Sequence, residues 1–545
     1  MKKLFHFTLA IVIIFSCSFS ASAQSLQRPK LVVGIVIDQM RWDYLYRYYD
    51  RYADNGGFKR LLSKGFSCEN TFIPYAPTVT ACGHSSIYTG SVPSINGITG
   101  NTWWDYQLNK SVYCTEDVNV KTVGSNTTAG AQSPRNLLTT TIGDELRLAT
   151  NFQSKVVGVA LKDRASILPA GHSANSAYWF DSKTGDWITS DYYMKNLPDW
   201  VKQFNPQKLI DAYYKAGWNT LYPLSTYTQS TPDENSYEGK PFGAGAKGFP
   251  YDFKSFAGNN YSAVLATPYG STLTAEFAKQ AIINEQLGTD SITDLLAVSF
   301  SSPDYIGHSF GPNSVETEDA YLRLDKDLGD LLNFLDNKIG KDQYVLFLSA
   351  DHGVAHVPAF AKDHHIPSGG IDFTSIAEKM NASLKEKFGQ DNLIVDIDNY
   401  QVSLNLHVIS SSSLNEMDIK KWIINYLSKQ EGIDRVIDME DFHKYPLNDK
   451  VKKMLANGYN PSRSGQIQIL LQPQWLAGFE NGGTTHGLWN PYDSHIPLLW
   501  YGWGIKPGET NREVYMTDIA PTLSALLHIQ MPSGTVGNVI PELLK

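Results

Sequence analysis

The sequence predicts an α/β fold with a mostly parallel central sheet flanked by helices. Three apolar runs end in an aspartate, KLVVGIVID at Asp38, LLAVSFSSPD at Asp304 and YVLFLSADHG at Asp351. Uninterrupted runs of Val, Ile, Leu and Phe bounded by polar turns are typical of the central strands of a parallel sheet. Such sheets bind ligands beyond the carboxyl ends of their strands. Three carboxylates at that edge repel one another unless a cation lies between them, so a metal site is predicted there.

Residues 24–545 are predicted to form one interleaved domain, because the three aspartates must meet although they lie far apart in the chain. Residues 30–165 have the pattern of alternating strands and helices. The segment from about 170 to 260 is rich in Gly, Asn, Tyr and Trp and predicts a loop-rich insertion over the sheet edge. The segment from about 370 to 478 alternates amphipathic helices with short strands, which predicts a small α+β cap.

The start of the chain has the pattern of an export signal. Lys2 and Lys3 precede an apolar run, and Ala21-Ser22-Ala23 precedes Gln24. A signal peptide is therefore predicted at 1–23, and its apolar run is too short to anchor the chain in a membrane. Lipidation at Cys17 is the alternative. No later stretch is long and apolar enough to span a bilayer, so we expect a periplasmic or secreted protein.

Composition and net charge indicate a protein with a sizeable core that is unsuited to binding nucleic acid. The chain is 42% hydrophobic and 12% aromatic, which is enough apolar material for a sizeable core. The formal net charge of −9 becomes −11 when Lys2 and Lys3 leave with the signal. An acidic chain is unsuited to holding a nucleic-acid scaffold through its phosphates. After removal of the signal peptide three cysteines remain, which allows one disulfide whose pairing stays open, namely Cys68, Cys82 and Cys114.

Aspartate and histidine pairs at the predicted strand ends are candidate metal ligands. Asp304 and His308 are four residues apart, which places both on one face of a helical turn. Asp351 and His352 follow a strand directly, and His486 lies in Gly-Thr-Thr-His-Gly. Mixed carboxylate and imidazole donors suit zinc better than magnesium. Of the other histidines, His495 precedes an apolar run and is predicted to be structural, whereas the roles of three stay open, namely His356, His364 and His365.

A threonine is the candidate nucleophile. Pro77-Thr78-Val79-Thr80 leads into the helix-like SSIYTG, so a hydroxyl at the junction lies near backbone N–H donors and the positive end of a helix. A hydroxyl of this segment is the candidate nucleophile, with an ordinary helix-capping threonine as the alternative. Cys82 competes with it, but no His/Asn partner pattern supports a cysteine enzyme.

The order of these motifs resembles that of the alkaline phosphatase superfamily, over nearly the whole mature chain. The matching pieces are Asp38, PTVTACGHSSIYTG, Gly-Asn101, Asp304-x-x-x-His308, Asp351-His352-Gly and Thr-His486-Gly. Within the superfamily the chain looks most like the phosphate-irrepressible bacterial alkaline phosphatases, whose cores are close to those of nucleotide pyrophosphatases/phosphodiesterases. The distinguishing piece is Lys162-Asp163-Arg164, where an extended segment would point both cationic side chains the same way.

The resemblance implies an alkaline phosphatase-like fold and two zinc ions. It assigns one ion to Asp304, His308 and His486, and the other to Asp38, Asp351, His352 and the Thr80 oxygen. It also implies that Thr80 attacks phosphorus to form a phosphothreonine intermediate. Asn101, Lys162 and Arg164 would then hold the non-bridging oxygens, where positioning and electrostatics supply most of the acceleration.

The predicted activity is that of a secreted, monomeric alkaline phosphatase acting on a broad range of small-molecule phosphate monoesters. Lys162 and Arg164 favour monoesters, because a terminal phosphoryl group carries more negative charge than a diester. A nucleotide pyrophosphatase/phosphodiesterase is the alternative enzyme, and a periplasmic metal- or phosphate-binding protein is the alternative without activity. A sulfatase is disfavoured, because the Thr80 segment lacks the Cys/Ser-x-Pro-x-Arg pattern of that family.

Overall fold

A ten-stranded sheet forms the centre of the fold in the computed structural model, which describes residues 27–478 and 482–544. The signal peptide predicted at 1–23 lies outside the described residues. The strands, numbered in chain order, are β1 (Leu31–Ile37), β2 (Phe66–Cys68), β3 (Thr71–Phe72), β4 (Thr102–Asp105), β5 (Lys110–Tyr113), β6 (Thr122–Val123), β7 (Val156–Ala160), β8 (Ser176–Asp181), β9 (Asp186–Ser190), β10 (Asp294–Phe300), β11 (Tyr344–Ser349), β12 (Gly369–Ile371), β13 (Ile394–Asp398), β14 (Gln401–Leu404), β15 (Ile433–Asp438), β16 (Ile467–Leu471), β17 (Trp475–Ala477), β18 (His495–Ile496), β19 (Leu498–Gly502), β20 (Gly508–Thr510) and β21 (Val514–Tyr515).

Helices flank this sheet and fill the connections between its strands. The α-helices span Tyr44–Arg47, Gly57–Lys64, Thr80–Thr89, Pro93–Asn96, Ile142–Ala149, Asp163–Ala170, Asp199–Phe204, Leu209–Ala216, Tyr269–Asn284, Ser302–Phe310, Val315–Leu335, Pro358–Asp363, Phe373–Phe388, Leu406–Ser411, Glu416–Leu427, Asp449–Gly458, Pro491–Ser494 and Ile519–Leu527.

The order of strands in the main sheet is β20-β2-β19-β11-β1-β10-β7-β8-β9-β6. The five central strands β11, β1, β10, β7 and β8 run parallel to one another. Towards the edges β19 and β9 run antiparallel to their neighbours. The predicted α/β class is therefore confirmed, with a parallel centre and antiparallel pairs near both edges.

The register of the central strands brings their carboxyl ends to one level. Every residue of β1, β10 and β11 is buried, as uninterrupted apolar runs require. Ile37 at the end of β1 pairs with Phe300 of β10, and Val36 pairs with Ser349 of β11. The residues that follow these strands therefore emerge side by side at one edge of the sheet.

The segment after residue 170 differs from the predicted insertion at its start. Residues 176–190 form β8 and β9, which extend the main sheet, and their Trp179 and Trp187 side chains are fully buried. The aromatic composition that indicated an irregular insertion instead supplies strand and core residues. Between residues 191 and 260 the chain has two short α-helices, with 3₁₀ turns and loops around them.

The segment from about 370 to 478 contains a separate four-stranded antiparallel sheet, ordered β13-β14-β16-β15. Its helices Phe373–Phe388 and Glu416–Leu427 bury apolar residues in a cluster distinct from the main core. Tyr400 of this segment extends to the edge of the main sheet where the central strands end, and its hydroxyl donates to the His486 carbonyl oxygen at 3.5 Å.

Candidate active site

The predicted nucleophile lies at the start of a buried helix. Thr80 is the first residue of that helix and is 1% exposed. Its Oγ1 atom lies 3.4 Å from His352 Nε2 and 3.5 Å from Lys162 Nζ. The Thr78 hydroxyl instead donates to the Leu488 carbonyl oxygen at 2.8 Å. Of the two threonines in the turn, Thr80 therefore faces the site and Thr78 is held by backbone.

Two local features hold this helix at the site. The Ala81 backbone N–H donates to Asn101 Oδ1 at 3.0 Å, which fixes the Asn101 side chain beside Thr80. Gly83 packs against the chain at Asp351, where a Cβ atom would collide with the Asp351 backbone. A glycine is required at this position because the helix and the strand end approach each other so closely.

Aspartate and histidine side chains form two clusters at this edge of the sheet, each with ligand atoms within 4.8 Å of one another. The first metal group is Asp304, His308 and His486, and the second metal group is Asp38, Asp351 and His352. The two groups adjoin, since the rings of His352 and His486 stack with centroids 3.5 Å apart. All six aspartate and histidine side chains that the sequence proposes as ligands therefore meet in one site.

Each of the three histidines has one ring nitrogen committed to the backbone. The Nδ1 contacts are from His308 to the Thr484 carbonyl at 2.8 Å, from His352 to the Gly353 carbonyl at 3.0 Å, and from His486 to the Thr78 carbonyl at 2.7 Å. A carbonyl oxygen can only accept, so the proton lies on Nδ1 in all three rings. The Nε2 atoms then face the carboxylates, as in proteins whose histidines bind a metal.

Two carboxylate oxygens of the second metal group suit a bound cation. Asp38 Oδ1 and Asp351 Oδ2 are buried and have no hydrogen-bond partner among the described residues. These two oxygens lie 3.5 and 3.4 Å from His352 Nε2. A buried anionic oxygen without a partner is costly, and a bound metal ion satisfies it. The residues present therefore fit a divalent metal.

Lys162 lies between the two metal groups. Its Nζ atom donates to Asp38 Oδ2 at 2.7 Å and to Asp304 Oδ2 at 2.6 Å, and it lies 5.1 Å from the centre of the Tyr305 ring. Burial lowers the pKa of this ammonium, but Asp304 and Asp38 outweigh burial and raise the pKa above its ordinary value. Lys162 therefore stays charged within reach of Thr80.

The extended Lys-Asp-Arg segment that the sequence analysis expects is not formed. Lys162 has an extended backbone, but Asp163 begins a helix and Arg164 lies in its first turn. The Arg164 Nη1 atom donates to the Tyr113 hydroxyl at 3.0 Å, and that hydroxyl donates to Asp163 Oδ1 at 2.6 Å. Arg164 is thus held by a tyrosine that no sequence motif identified.

The pKa values of Asp38 and Asp304 are shifted in opposite directions. Burial, together with repulsion from Asp351, raises the pKa of Asp38 well above its usual range, although Lys162 opposes the shift. Burial also raises the pKa of Asp304, but the neighbouring His308 and Lys162 outweigh it and hold this pKa well below its usual range. Burial and the two neighbouring imidazoles lower the pKa of His486, which keeps its ring neutral and able to donate a lone pair.

Two residues that no sequence motif identified contact the metal groups, and one of them, Gln39, contacts both. Gln39 has a left-handed backbone with φ of 67°, from which its Nε2 donates to Asp304 Oδ1 at 2.7 Å and its N–H to Asp351 Oδ1 at 3.1 Å. His84 Nδ1 lies 2.9 Å from the Thr80 carbonyl oxygen and 3.3 Å from Asp351 Oδ2. His84 stands within the quoted PTVTACGHSSIYTG motif, four residues after Thr80 and so on the same helix face, which could have identified it.

The remaining histidines and the cysteines lie outside both metal groups. His495 packs between Trp42 and Phe72, with ring centroids 4.6 and 4.7 Å away, in agreement with a structural role. His356 Nδ1 lies 2.6 Å from Asn313 Oδ1, and the rings of His364 and Phe360 are in contact. The three described cysteines are buried and free, so the single disulfide allowed by their number is not formed: Cys68, Cys82 and Cys114.

A ten-stranded sheet with an aspartate- and histidine-lined site at its strand ends defines a metallohydrolase class. The chain belongs to the family described as type I phosphodiesterase / nucleotide pyrophosphatase, whose model matches residues 32–493. The family match contains all six residues of the two metal groups as well as Thr80.

Three similar proteins match nearly the whole chain. Alkaline phosphatase PhoV of Synechococcus elongatus is 54% identical, over 96% of this chain and 95% of PhoV. A protein of Myroides odoratus named calcium-transporting ATPase is 53% identical, over 99% of this chain and 100% of that protein. Alkaline phosphatase PafA of Elizabethkingia meningoseptica is 49% identical, over 98% of both. A crystal structure of wild-type PafA superposes with a TM-score of 0.93 at 50% identity, covering 96% of this chain and 100% of that chain.

The resemblance to the alkaline phosphatase superfamily, and the fold it implies, are confirmed by these matches. Separately, none of the helices at 27–478 and 482–544 combines the length and the apolar character that crossing a membrane requires.

Proposed function

We propose that this protein is an alkaline phosphatase that hydrolyses small-molecule phosphate monoesters through Thr80. The observation that carries the proposal is the buried Lys162 ammonium, 3.5 Å from the Thr80 hydroxyl oxygen and between the two metal groups. A nucleophile, a fixed cation and two clusters of metal-binding side chains are what the transfer of a dianionic phosphoryl group needs. Similarity to the alkaline phosphatases PhoV and PafA supports the same activity.

The proposed cofactors are two zinc ions. The first metal group would hold one ion, and the second metal group together with the Thr80 oxygen would hold the other. The mixed carboxylate and imidazole donors, with their Nε2 atoms turned inward, support zinc over magnesium or calcium. When bound, zinc would supply Lewis acidity to the oxygens of the nucleophile, the phosphoryl group and the leaving group.

The chain's own residues account for the rest of the reaction. Thr80 Oγ1 gives its proton to solvent and attacks phosphorus in line, and the bond from phosphorus to the ester oxygen breaks as the departing alcohol takes up a proton from solvent. Lys162, Arg164 and the Asn101 side chain hold the non-bridging oxygens. Water then cleaves the phosphothreonine, returning the Thr80 hydroxyl and releasing inorganic phosphate. Asn101 is held by the Ala81 N–H and Arg164 by the Tyr113 hydroxyl before substrate arrives, so these two side chains need little reorganisation during the reaction.

Selection of monoesters follows from charge. A monoester presents two negative charges and three free oxygens, whereas a diester presents one charge and carries a substituent on one of those oxygens. Lys162 and Arg164 would contact the oxygen that only the monoester offers. A phosphodiesterase is the second candidate, because the family includes such enzymes by its description and because the metal groups and the threonine would serve either substrate.

A matched pair of substrates tests the proposal. The metal-loaded enzyme is assayed with an aryl phosphate monoester and with the methyl diester of the same phenol, so the leaving group is constant. We expect kcat/KM for the monoester to exceed that for the diester by orders of magnitude. A preference for the diester would assign the protein to the phosphodiesterases, and no turnover of either would favour a binding protein.

The proposed cellular setting is the periplasm or the extracellular space, after cleavage of residues 1–23. We propose that residues 24–545 act as one catalytic domain, as a monomer, with the segment from about 370 to 478 as a cap. The Tyr400 contact to the His486 carbonyl supports a cap that reaches the site. Mass spectrometry of the exported protein would test the cleavage site, and light scattering would test the oligomeric state.

A further inference from the structure

A two-residue turn of the segment from about 370 to 478 lies against the edge of the active site. Asn399 and Tyr400 connect β13 to β14, and the flanking Asp398 and Gln401 pair across the hairpin. Both turn residues have left-handed backbones, with φ of 53° and 58°. Glycine is the usual second residue of such a turn, and a tyrosine there is strained because its Cβ crowds the backbone. A strained residue persists where its surroundings fix it, so this turn must be held by specific contacts.

Tyr400 holds the turn in place from two sides. Its carbonyl oxygen accepts the Ile469 N–H at 2.8 Å and Gln468 Nε2 at 3.0 Å, and both donors belong to β16. Its ring lies against Gly487, where a Cβ atom would be 3.0 Å from Tyr400 Cε2, and its hydroxyl donates to the His486 carbonyl oxygen. The turn is therefore fixed both to its own sheet and to the loop that carries His486.

The other side chains of the turn contact the residues on both sides of Asn101. Asn399 Nδ2 donates to the Thr102 carbonyl oxygen at 3.0 Å, and the Thr102 hydroxyl donates to Asp398 Oδ2. On the preceding side, a Cβ atom on Gly100 would collide with the Asn399 amide. A glycine is therefore required before Asn101, because the Asn399 side chain occupies the space that a larger residue would need.

Asn101 itself connects two elements of the active site. Its side-chain Oδ1 accepts the Ala81 N–H at 3.0 Å, from the helix that begins at Thr80, and its backbone carbonyl accepts the Cys114 N–H at 2.9 Å. Thr102, the next residue, begins β4. A shift of the backbone at Thr102 would therefore move the Asn101 side chain relative to Thr80.

We propose that Asn399 is a positioning residue for phosphoryl transfer, which fixes the Thr102 carbonyl and thereby aligns the Asn101 side chain with a phosphoryl group at Thr80. The inference rests on the proposed function, in which Asn101 holds a non-bridging oxygen. Alignment matters because a donor stabilises developing charge only if it is already in place, and a small displacement lowers the rate. Packing that merely joins the segment to the main sheet is the alternative, and it would act on stability alone.

The variant Asn399→Gly separates these two roles. It removes the amide that holds Thr102 but keeps the turn, because glycine readily adopts a left-handed backbone. In the metal-loaded enzyme, kcat/KM for an aryl phosphate monoester should fall about tenfold, while the Tm and the metal content stay close to those of the wild type. Asn392→Gly is the matched control, because Asn392 is an exposed asparagine of the same segment with φ of 57°, and this variant should keep full activity.

A double-mutant cycle with Asn101→Ala tests whether Asn399 acts through Asn101. When Asn399→Gly is added to Asn101→Ala, kcat/KM should change by less than about twofold, because the side chain that Asn399 positions is already gone. The inhibition constant of inorganic phosphate should follow the same pattern, rising in Asn399→Gly alone and rising no further in the double variant. A contribution that is only structural would lower activity by the same factor in both backgrounds.

Two results separate this inference from the proposed function. Wild-type activity in Asn399→Gly beside an impaired Asn101→Ala would overturn the positioning role alone, as would equal losses in both backgrounds of the cycle. An unimpaired Asn101→Ala would overturn the proposed role of Asn101 and this inference with it. Asn399→Asp is the second variant, since it nearly preserves shape and tolerates a left-handed backbone but has no donor for Thr102, and it should show the same loss. Normal activity in a folded Asn399→Asp would also contradict the inference.

Discussion

Lys162 Nζ lies 3.5 Å from Thr80 Oγ1, and both residues are almost completely buried. The same nitrogen contacts one carboxylate from each metal group, Asp38 and Asp304. In such an environment a fixed ammonium stabilises negative charge on a neighbouring oxygen far more strongly than it would in water. This relationship connects the predicted nucleophile, the metal groups and the choice of substrate.

The first prediction concerns the threonine itself. Thr80→Ser keeps the hydroxyl and should retain activity within about tenfold, whereas Thr80→Ala should lose more than about a thousandfold in kcat. Thr78→Ala is the matched control, because the Thr78 hydroxyl bonds a backbone carbonyl and does not face the site. If Thr78→Ala is the inactive variant and Thr80→Ala is normal, the nucleophile has been assigned to the wrong threonine.

The second prediction concerns metal removal. Thorough chelation should abolish activity and lower the Tm, because Asp38 and Asp351 then face each other without a cation between them. Zinc should restore both quantities, while calcium should not restore activity, because imidazole donors suit the softer ion. Activity that persists after metal analysis shows no residual ion would contradict the two-metal mechanism.

The third prediction concerns Tyr113, which contacts Arg164 and Asp163. Tyr113→Phe removes this hydroxyl and should lower monoester kcat/KM about tenfold, since a hydrogen bond to a charged group is worth about 1.5–3 kcal/mol. Diester hydrolysis should change little. Tyr106→Phe is the control, because the Tyr106 hydroxyl bonds Gln466 in the cap instead. Equal losses in the two variants would mean that Tyr113 does not position Arg164.

The fourth prediction concerns the pH dependence of stability at Asp144, which is buried near the start of a helix. Burial raises its pKa, but hydrogen bonds from His172, Thr141 and Ser173 outweigh burial and lower the pKa to about 2. The stabilisation is present above the unfolded-state pKa of about 3.9 and is lost as the pH falls towards 2. Asp144→Asn should therefore lower the free energy of unfolding by about 2 kcal/mol at pH 6.

Urea unfolding of the wild type and of Asp144→Asn at several pH values measures this effect. The difference between the two proteins should shrink as the pH is lowered from 6 to 3. A difference that stays constant over this range would show that the Asp144 charge is not the source of the stabilisation.

The fold centre and the grouping of the candidate metal ligands were predictable because their signals are local. Asp38, Asp304 and Asp351 each follow an uninterrupted apolar run, and parallel strands of equal register bring their ends together. The spacing of Asp304 and His308 matches one helical turn. Apolar runs and residue spacings can be recognised in the sequence without knowing which residues are in contact in the fold.

The other features depend on contacts between distant segments, which periodicity cannot show. Gln39 contacts both metal groups because its backbone is left-handed, and a glutamine in the sequence does not indicate that conformation. The Asp163 helix start, which replaces the expected extended segment, places Arg164 against Tyr113 from another part of the chain. The strands β8 and β9 were missed because their aromatic residues and glycine turn resemble those of an irregular insertion.

The most direct test of the account is the substrate preference of the double variant Lys162→Ala with Arg164→Ala. Its kcat/KM is measured for an aryl phosphate monoester and for the methyl diester of the same phenol, with metal content shown to equal that of the wild type. Two charge-assisted contacts at about 1.5–3 kcal/mol each predict a monoester loss on the order of a thousandfold. Diester hydrolysis should stay within a few-fold of wild type. Equal losses on both substrates would contradict the account, because the pair would then support the site generally and would not select the monoester.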